Sequence, residues 1–203
     1  MSKKPLIVFE GIEASGKSHH IKNVIRFLNK ERKKFIHIRE PGGNKNSEKI
    51  RKLILDNKSS FNKNTDLLLY LSARSENIEL IKKNYGKKII LIDRFVDSTI
   101  AYQHYGMGVN NEIIMMINNF LLKGININFT FLNLVNSKNM QLRLLKRKKL
   151  NRYDQFKVTF YKKVQNGFVK ILKRNPSKYM KIDSNSDIIE NENIILNKIK
   201  ELI

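Results

Sequence analysis

One stretch limits the fold more than any other: VFEGIEASGKSHHIKNV, beginning at Val8. A strand-like apolar run passes through two glycines into a lysine, a serine and a segment of helical character. Gly11, Gly16, Lys17 and Ser18 fall at the spacing G-x-x-x-x-G-K-[ST]. Glycine at the two framing positions lets successive backbone N–H groups converge on one point with no Cβ in the way. The helix that follows adds the positive end of its dipole. The loop Gly11, Ile12, Glu13, Ala14, Ser15, Gly16, Lys17 and Ser18 therefore reads as a cradle for the phosphates of a nucleoside triphosphate. Lys17 would neutralise β- and γ-phosphate oxygens, and the Ser18 hydroxyl would ligate Mg2+. The loop says nothing about what receives the phosphoryl group.

The rest of the chain alternates between two kinds of segment. Short apolar runs bounded by polar residues predict strands at 6–9, 35–38, 88–92, 129–133 and 179–182. Helical patterns lie between and after them, over 18–30, 64–83, 111–123, 137–146, 154–173 and 187–202. Strands alternating with helices imply parallel strands joined by right-handed crossovers. The expected fold is a three-layer α/β/α sandwich on a five-stranded parallel sheet, one domain over residues 1–203. In such sheets ligands sit at the carboxyl ends of the strands, so the loops opening at Glu10, Arg39, Asp93 and Asp183 matter most. The strand KKIILIDRF ends in Asp93, a carboxylate beside the phosphate loop and the expected water-mediated partner of Mg2+.

Composition narrows the class. No apolar run approaches the ~18–20 residues of a membrane helix, and the run at 6–9 is too short for a signal peptide. These features predict a cytoplasmic protein without a membrane partner. The absence of cysteine excludes disulfides and thiolate metal sites. The net charge of +22 raises the question of nucleic acid. The basic runs lack interleaved aromatic platforms, and Asn- and Ile-rich stretches such as GININFTFLNLVNSKN point instead to a solvated, lysine-rich surface. Polynucleotide is therefore not the expected partner. Arg39, Arg51, Arg74 and Arg94 gather on one rim of the expected sheet, and a forked guanidinium suits a phosphate or a base edge.

Several short motifs, in order, resemble the bacterial thymidylate kinases nearly end to end. They are FEGIEASGKS, REPGG followed by EKIRKLIL, LLLYLSARSEN, DRFVDSTIAYQHYG, NRYDQ with FYKKVQNGF, and KIDSNSD. The resemblance implies transfer of the ATP γ-phosphoryl to dTMP, giving dTDP, in a homodimer. It implies that Glu13 faces the acceptor sugar and Mg2+, Tyr70 stacks on thymine, and Arg74 bonds the pyrimidine edge. By the same resemblance Arg94 and Arg51 contact the acceptor phosphate, with Ser98 beside them. Thr99 and Gln103 line the base pocket, Tyr102 crowds the sugar 2′ position, and Ser184 and Asn185 lie beside adenine. A nucleoside monophosphate is an adequate nucleophile, so His19, His20, His37 and His104 are not expected to act as bases. The alternatives are a kinase of this scaffold for another base, a polynucleotide-stimulated ATPase, and a non-catalytic nucleotide-binding module; the last would have lost Lys17 or Asp93.

Some family members carry an arginine where this chain has Ala14. The transition-state cation is then expected from a lid at about 143–155, within RLLKRKKLNRYD. Arg147 and Arg152 are the expected lid cations, and Arg143 is expected to stack on adenine. Asn44, where threonine is usual, and His19, where a second hydroxyl is common, are smaller departures.

Overall fold

In the computed structural model, which describes residues 3–203, the phosphate-loop strand β1 (Leu6–Glu10) lies at the centre of a five-stranded sheet. Its partners in chain order are β2 (Phe35–Arg39), β3 (Ile89–Asp93), β4 (Phe129–Leu134) and β5 (Tyr179–Asp183). The strands run in parallel in the spatial order β2-β3-β1-β4-β5. Each of the five expected strands forms and extends one residue further at its carboxyl end. The polar residues Glu10, Arg39 and Asp93, expected to open loops, still pair in the ladder, Glu10 with Leu132 and Arg39 with Asp93. Asp183 likewise pairs with Leu134.

Side chains alternate across the sheet as the pleat demands. Ile7, Phe9, Leu91 and Phe131 face one core with α1 (Lys17–Lys30) and α8 (Ile188–Leu202). Leu6, Val8, Ile90, Ile92 and Leu132 face the other. That second core is closed by α2 (Lys45–Leu55), α3 (Lys63–Asn84), α4 (Val96–Thr99) with its π-helical continuation Ile100–Gly106, α5 (Asn111–Leu121), α6 (Ser137–Leu145) and α7 (Val158–Arg174).

Two expectations need correction. The helix expected over 154–173 is broken. A short 3-10 turn spans Arg152–Gln155, Phe156 and Lys157 are extended, and α7 begins only at Val158. The cause is local: Asn151 caps this turn, and Asp154 returns its carboxylate to the Asn151 backbone in a capping box. Two helical segments were not anticipated, α2 and the run from Val96 to Gly106. Asn44 starts α2 by accepting hydrogen bonds from the Asn46 and Ser47 backbone. Threonine's usual place is thus filled by another good cap.

Candidate active site

The carboxyl ends of the strands open into a cavity of about 410 Å³, running from the glycine loop to α3 and the lid. The donor end is built from backbone. A Cβ on Gly11, whose φ is 141°, would stand 2.4 Å from the Asn133 carbonyl oxygen, so no larger residue fits there. Gly16 takes φ 86° and starts α1. Lys17 is buried, and its Nζ donates to the carbonyls of Gly11 at 2.8 Å and Ile12 at 3.1 Å. Burial, with Arg94 nearby, lowers the Lys17 pKa to about 8. An incoming polyphosphate would offer that ammonium oxygens in place of its own loop.

Ser18 and Asp93 line the cavity together. One Asp93 carboxylate oxygen is buried with no hydrogen-bond partner among the described residues. No group of three potential metal-ligating side chains occurs among those residues. A hydroxyl, an orphaned carboxylate oxygen and space for phosphate oxygens fit Mg2+, which is usually held by one or two protein groups plus substrate phosphates.

Arg94 follows β3 in a left-handed conformation, φ 66°, which costs on the order of 1 kcal/mol for a residue with a Cβ. That turn sends its guanidinium back to the Gly11 carbonyl at 2.8 Å and the Glu13 carboxylate at 2.9 Å. Tyr102 donates to the other Glu13 oxygen and accepts from Arg94 at 3.2 Å. Glu13, Arg94 and Tyr102 therefore form one cluster at the middle of the cleft. Behind them lies Glu10, absent from the sequence-based site. Its buried carboxylate accepts from the backbone of Phe95 at 2.7 Å and Ser98 at 3.2 Å, and from the Ser98 hydroxyl at 2.5 Å. Burial, with Asp97 close by, raises the Glu10 pKa to about 7.

The acceptor end is built from one face of α3. Asp66, Tyr70 and Arg74 repeat at four-residue intervals and so point the same way. Arg74 is buried: its Nε donates to Glu40 at 2.8 Å and its Nη1 to Asn118 at 2.6 Å. Its Nη2 has no hydrogen bond to the described residues, and the side chain borders the cavity. The Tyr70 ring meets Tyr153 edge-on at 5.7 Å. Gln103 donates to the Tyr153 hydroxyl at 3.2 Å, and the Thr99 hydroxyl is buried without a partner. Arg51, Ser98, Thr99, Tyr102 and Gln103 all border the same space. Sequence reasoning missed Glu40, Asn118 and Tyr153, which fix the neighbours of this wall. Glu40, inside REPGG, and Tyr153, inside NRYDQ, carried a signal; Asn118 carried none.

A family model described as thymidylate kinase matches residues 9–195. The chain belongs to the thymidylate kinase family. It is 37% identical to a thymidylate kinase of Sulfurihydrogenibium sp. (strain YO3AOP1) over 96% of both chains. It is 34% identical to one of Staphylococcus epidermidis over 90% of both. A crystal structure of thymidylate kinase from Ehrlichia chaffeensis superposes with a TM-score of 0.78 at 28% identity, covering 98% of this chain and 99% of that one. The protein is thus a kinase with the five-stranded parallel α/β fold of that family.

Several residues expected at the site sit elsewhere. Arg152 does not border the cavity. Its Nε donates to the Ile54 carbonyl at 2.9 Å and its Nη2 to Asp66. Arg147 does border it, paired with Asp154. Arg143 borders it too, but its guanidinium bridges the carbonyls of Ala14 at 3.1 Å and Ser184 at 2.6 Å. Gly11, Ile12, Ser184 and Asn185 do not border the cavity: the Ser184 hydroxyl donates to the Ser15 carbonyl at 2.7 Å, and Asn185 accepts from the Asn136 backbone at 3.0 Å. Of the four histidines, only His19 reaches the cavity rim, where it pairs with Glu192.

Proposed function

We propose that the kinase transfers the γ-phosphoryl of ATP to the phosphate of dTMP by in-line displacement. The observation that carries this reading is the continuity of the cleft. One cavity joins the Lys17–Ser18 cradle, through Glu13, Arg94 and Tyr102, to the Tyr70–Arg74–Gln103 wall. Phosphoryl transfer asks little covalent chemistry of a protein and much positioning and charge neutralisation. The loop N–H groups and Lys17 hold the donor phosphates. Arg94, with Arg51 and Ser98 beside it, holds the acceptor phosphate, whose own oxygen is the nucleophile. Tyr70 offers a face to the pyrimidine. The free nitrogen of Arg74 donates to the 4-carbonyl oxygen of the base, where thymine has an acceptor and cytosine an amino group. Tyr102, held by Glu13 and Arg94, crowds the sugar and disfavours a 2′-hydroxyl.

Ser18 and Asp93 are the residues that would hold Mg2+, with Glu13 on the wall of the same cavity. Held there, Mg2+ would supply positive charge to offset that of the donor phosphates. With Ala14 in the loop, Arg147 is the lid cation that reaches the transferred group, and Arg143 with the 184–185 turn borders the adenine end.

Leu68 of α3 and Met116 and Phe120 of α5 are exposed on helices packed against each other. This apolar face suits a second copy of the chain, giving a homodimer despite the charge of +22. None of the described helices is long and apolar enough to cross a membrane, and a cytoplasmic setting suits these substrates. A coupled ADP-release assay over a panel of nucleoside monophosphates tests the main reading. dTMP is expected to outpace dUMP, with purines negligible; a preference for dGMP or UMP would contradict the roles given to Tyr70 and Arg74.

A further inference from the structure

Arg152, expected as a transition-state cation, instead donates to the Ile54 carbonyl and to Asp66, and that carboxylate is the informative residue. Asp66 lies on α3 one helical turn before Tyr70 and is 1% exposed. One of its carboxylate oxygens accepts from Arg152 and the other from the Tyr153 hydroxyl. Both donors belong to the short turn that ends the lid. A buried carboxylate with two such donors is costly to leave unpaired, so this end of the lid is held firmly.

Further contacts hold the same end. The Arg152 guanidinium lies over Phe61 at 5.5 Å. Asn57 donates to the Leu150 carbonyl at 3.1 Å, and Gln155 donates to Asn57 at 2.9 Å. The other end of the lid is not tied to α2 or α3. Arg147 is partly exposed and is held only within the lid, by Asp154, whose second oxygen accepts from the Asn151 backbone at 3.0 Å.

Asp66 also touches the acceptor pocket through Tyr153. The Tyr153 hydroxyl that donates to Asp66 accepts from Gln103, and its ring meets Tyr70. A base seated against Tyr70 and Gln103 therefore bears on the residue that anchors the lid. We infer that Asp66 is a positioning residue that couples the base pocket to the lid: acceptor binding steadies Tyr153 and Arg152 on Asp66 and thereby sets the place of Arg147. This rests on the reading of Arg147 as the lid cation.

The test uses the full chain with dTMP alone as the probe, so no turnover is needed. Amide hydrogen exchange is followed over residues 146–151 in wild type and in Asp66→Asn, which keeps the shape and removes the charge. dTMP is expected to slow exchange in that segment of the wild type and to lose that effect in the variant. In the same variant kcat is expected to fall about tenfold or more through misplacement of Arg147, with KM for ATP held within about twofold. A purely structural role for Asp66 would lower thermal stability without moving this dTMP-dependent protection. Equal protection by dTMP in both proteins, or none in the wild type, would overturn the inference. Should Asp66→Asn not fold, Tyr153→Phe removes one of the two bonds and keeps the ring; unchanged protection there would overturn it equally. The reading of Arg147 fails by a different result, wild-type kcat in Arg147→Met.

Discussion

The two ends of the cleft are built by different means. At the donor end, eight consecutive residues from Gly11 to Ser18 curl on their own backbone, and the ammonium of Lys17 rests on carbonyls of the same loop. At the acceptor end the functional side chains come from four separate elements, and buried partners orient them. Glu40 and Asn118 hold Arg74, Glu10 holds the turn after Arg94, and Asp66 holds the end of the lid. A cradle made of backbone depends on φ and ψ alone. One made of side chains depends on every partner, so damage to a distant partner should reach the acceptor end and spare the donor end.

Lys17→Ala should give the largest effect. Turnover is expected to drop about a thousandfold, in the range found when one charge-stabilising donor is removed. dTMP affinity by calorimetry should stay within about twofold. A parallel loss of dTMP affinity would break the separation of the two ends.

The lid arginines sharpen the contrast next. Arg147→Met is expected to lower kcat about 100-fold, with a smaller loss of stability because the buried Asp154 loses its cation but keeps its bonds to Asn151. Arg152→Met should do the reverse in emphasis. It strands the buried Asp66 carboxylate and costs about 3 kcal/mol of stability in urea unfolding. Equal kinetic losses with equal stability in the two variants would erase the distinction between a cleft-facing cation and an anchor.

A smaller effect belongs to Tyr70→Leu. Loss of the aromatic face should raise KM for dTMP about tenfold, since stacking on a base is worth about 1–3 kcal/mol. KM for ATP should not follow.

A separate effect, on stability alone, is its dependence on pH. The Glu10 carboxyl is raised from its ordinary 4.5 to about 7 by burial and by Asp97. The folded protein therefore holds a proton there that the unfolded chain releases. Glu10's contribution to stability is complete below about pH 4.5 and is lost as pH rises toward 7, by about 3 kcal/mol. Urea unfolding at several pH values should show that decline in wild type relative to Glu10→Gln, in which this position does not titrate. A constant difference between the two proteins across pH 4.5 to 7 would mean that Glu10 is not buried against its neighbours as described.

Much of the donor end was legible because its information is local. The strand, the two glycines, Lys17 and Ser18 lie within one short stretch, and the alternation of apolar runs was enough to order the sheet. The acceptor end was legible only in part. Tyr70 and Arg74 could be named from motifs, but their partners Glu40, Asn118 and Tyr153 lie 34, 44 and 83 positions away, and no periodicity links them. Lid residues show the limit most clearly. Arg147 and Arg152 sit in one basic run and look alike in sequence, yet Arg147 borders the cleft while Arg152 is held by Asp66 and the Ile54 carbonyl.

By itself, then, the sequence determined the parallel α/β architecture, the phosphate cradle and the family. These follow from local backbone chemistry and from the spacing of apolar residues, which neighbours in the chain decide. Only the tertiary structure decided which arginine is an anchor and which borders the cleft. It also decided that Glu10 and Asp66 belong to the site's support. Those assignments depend on which charges are brought together out of water, and that is settled by packing between segments far apart in the chain.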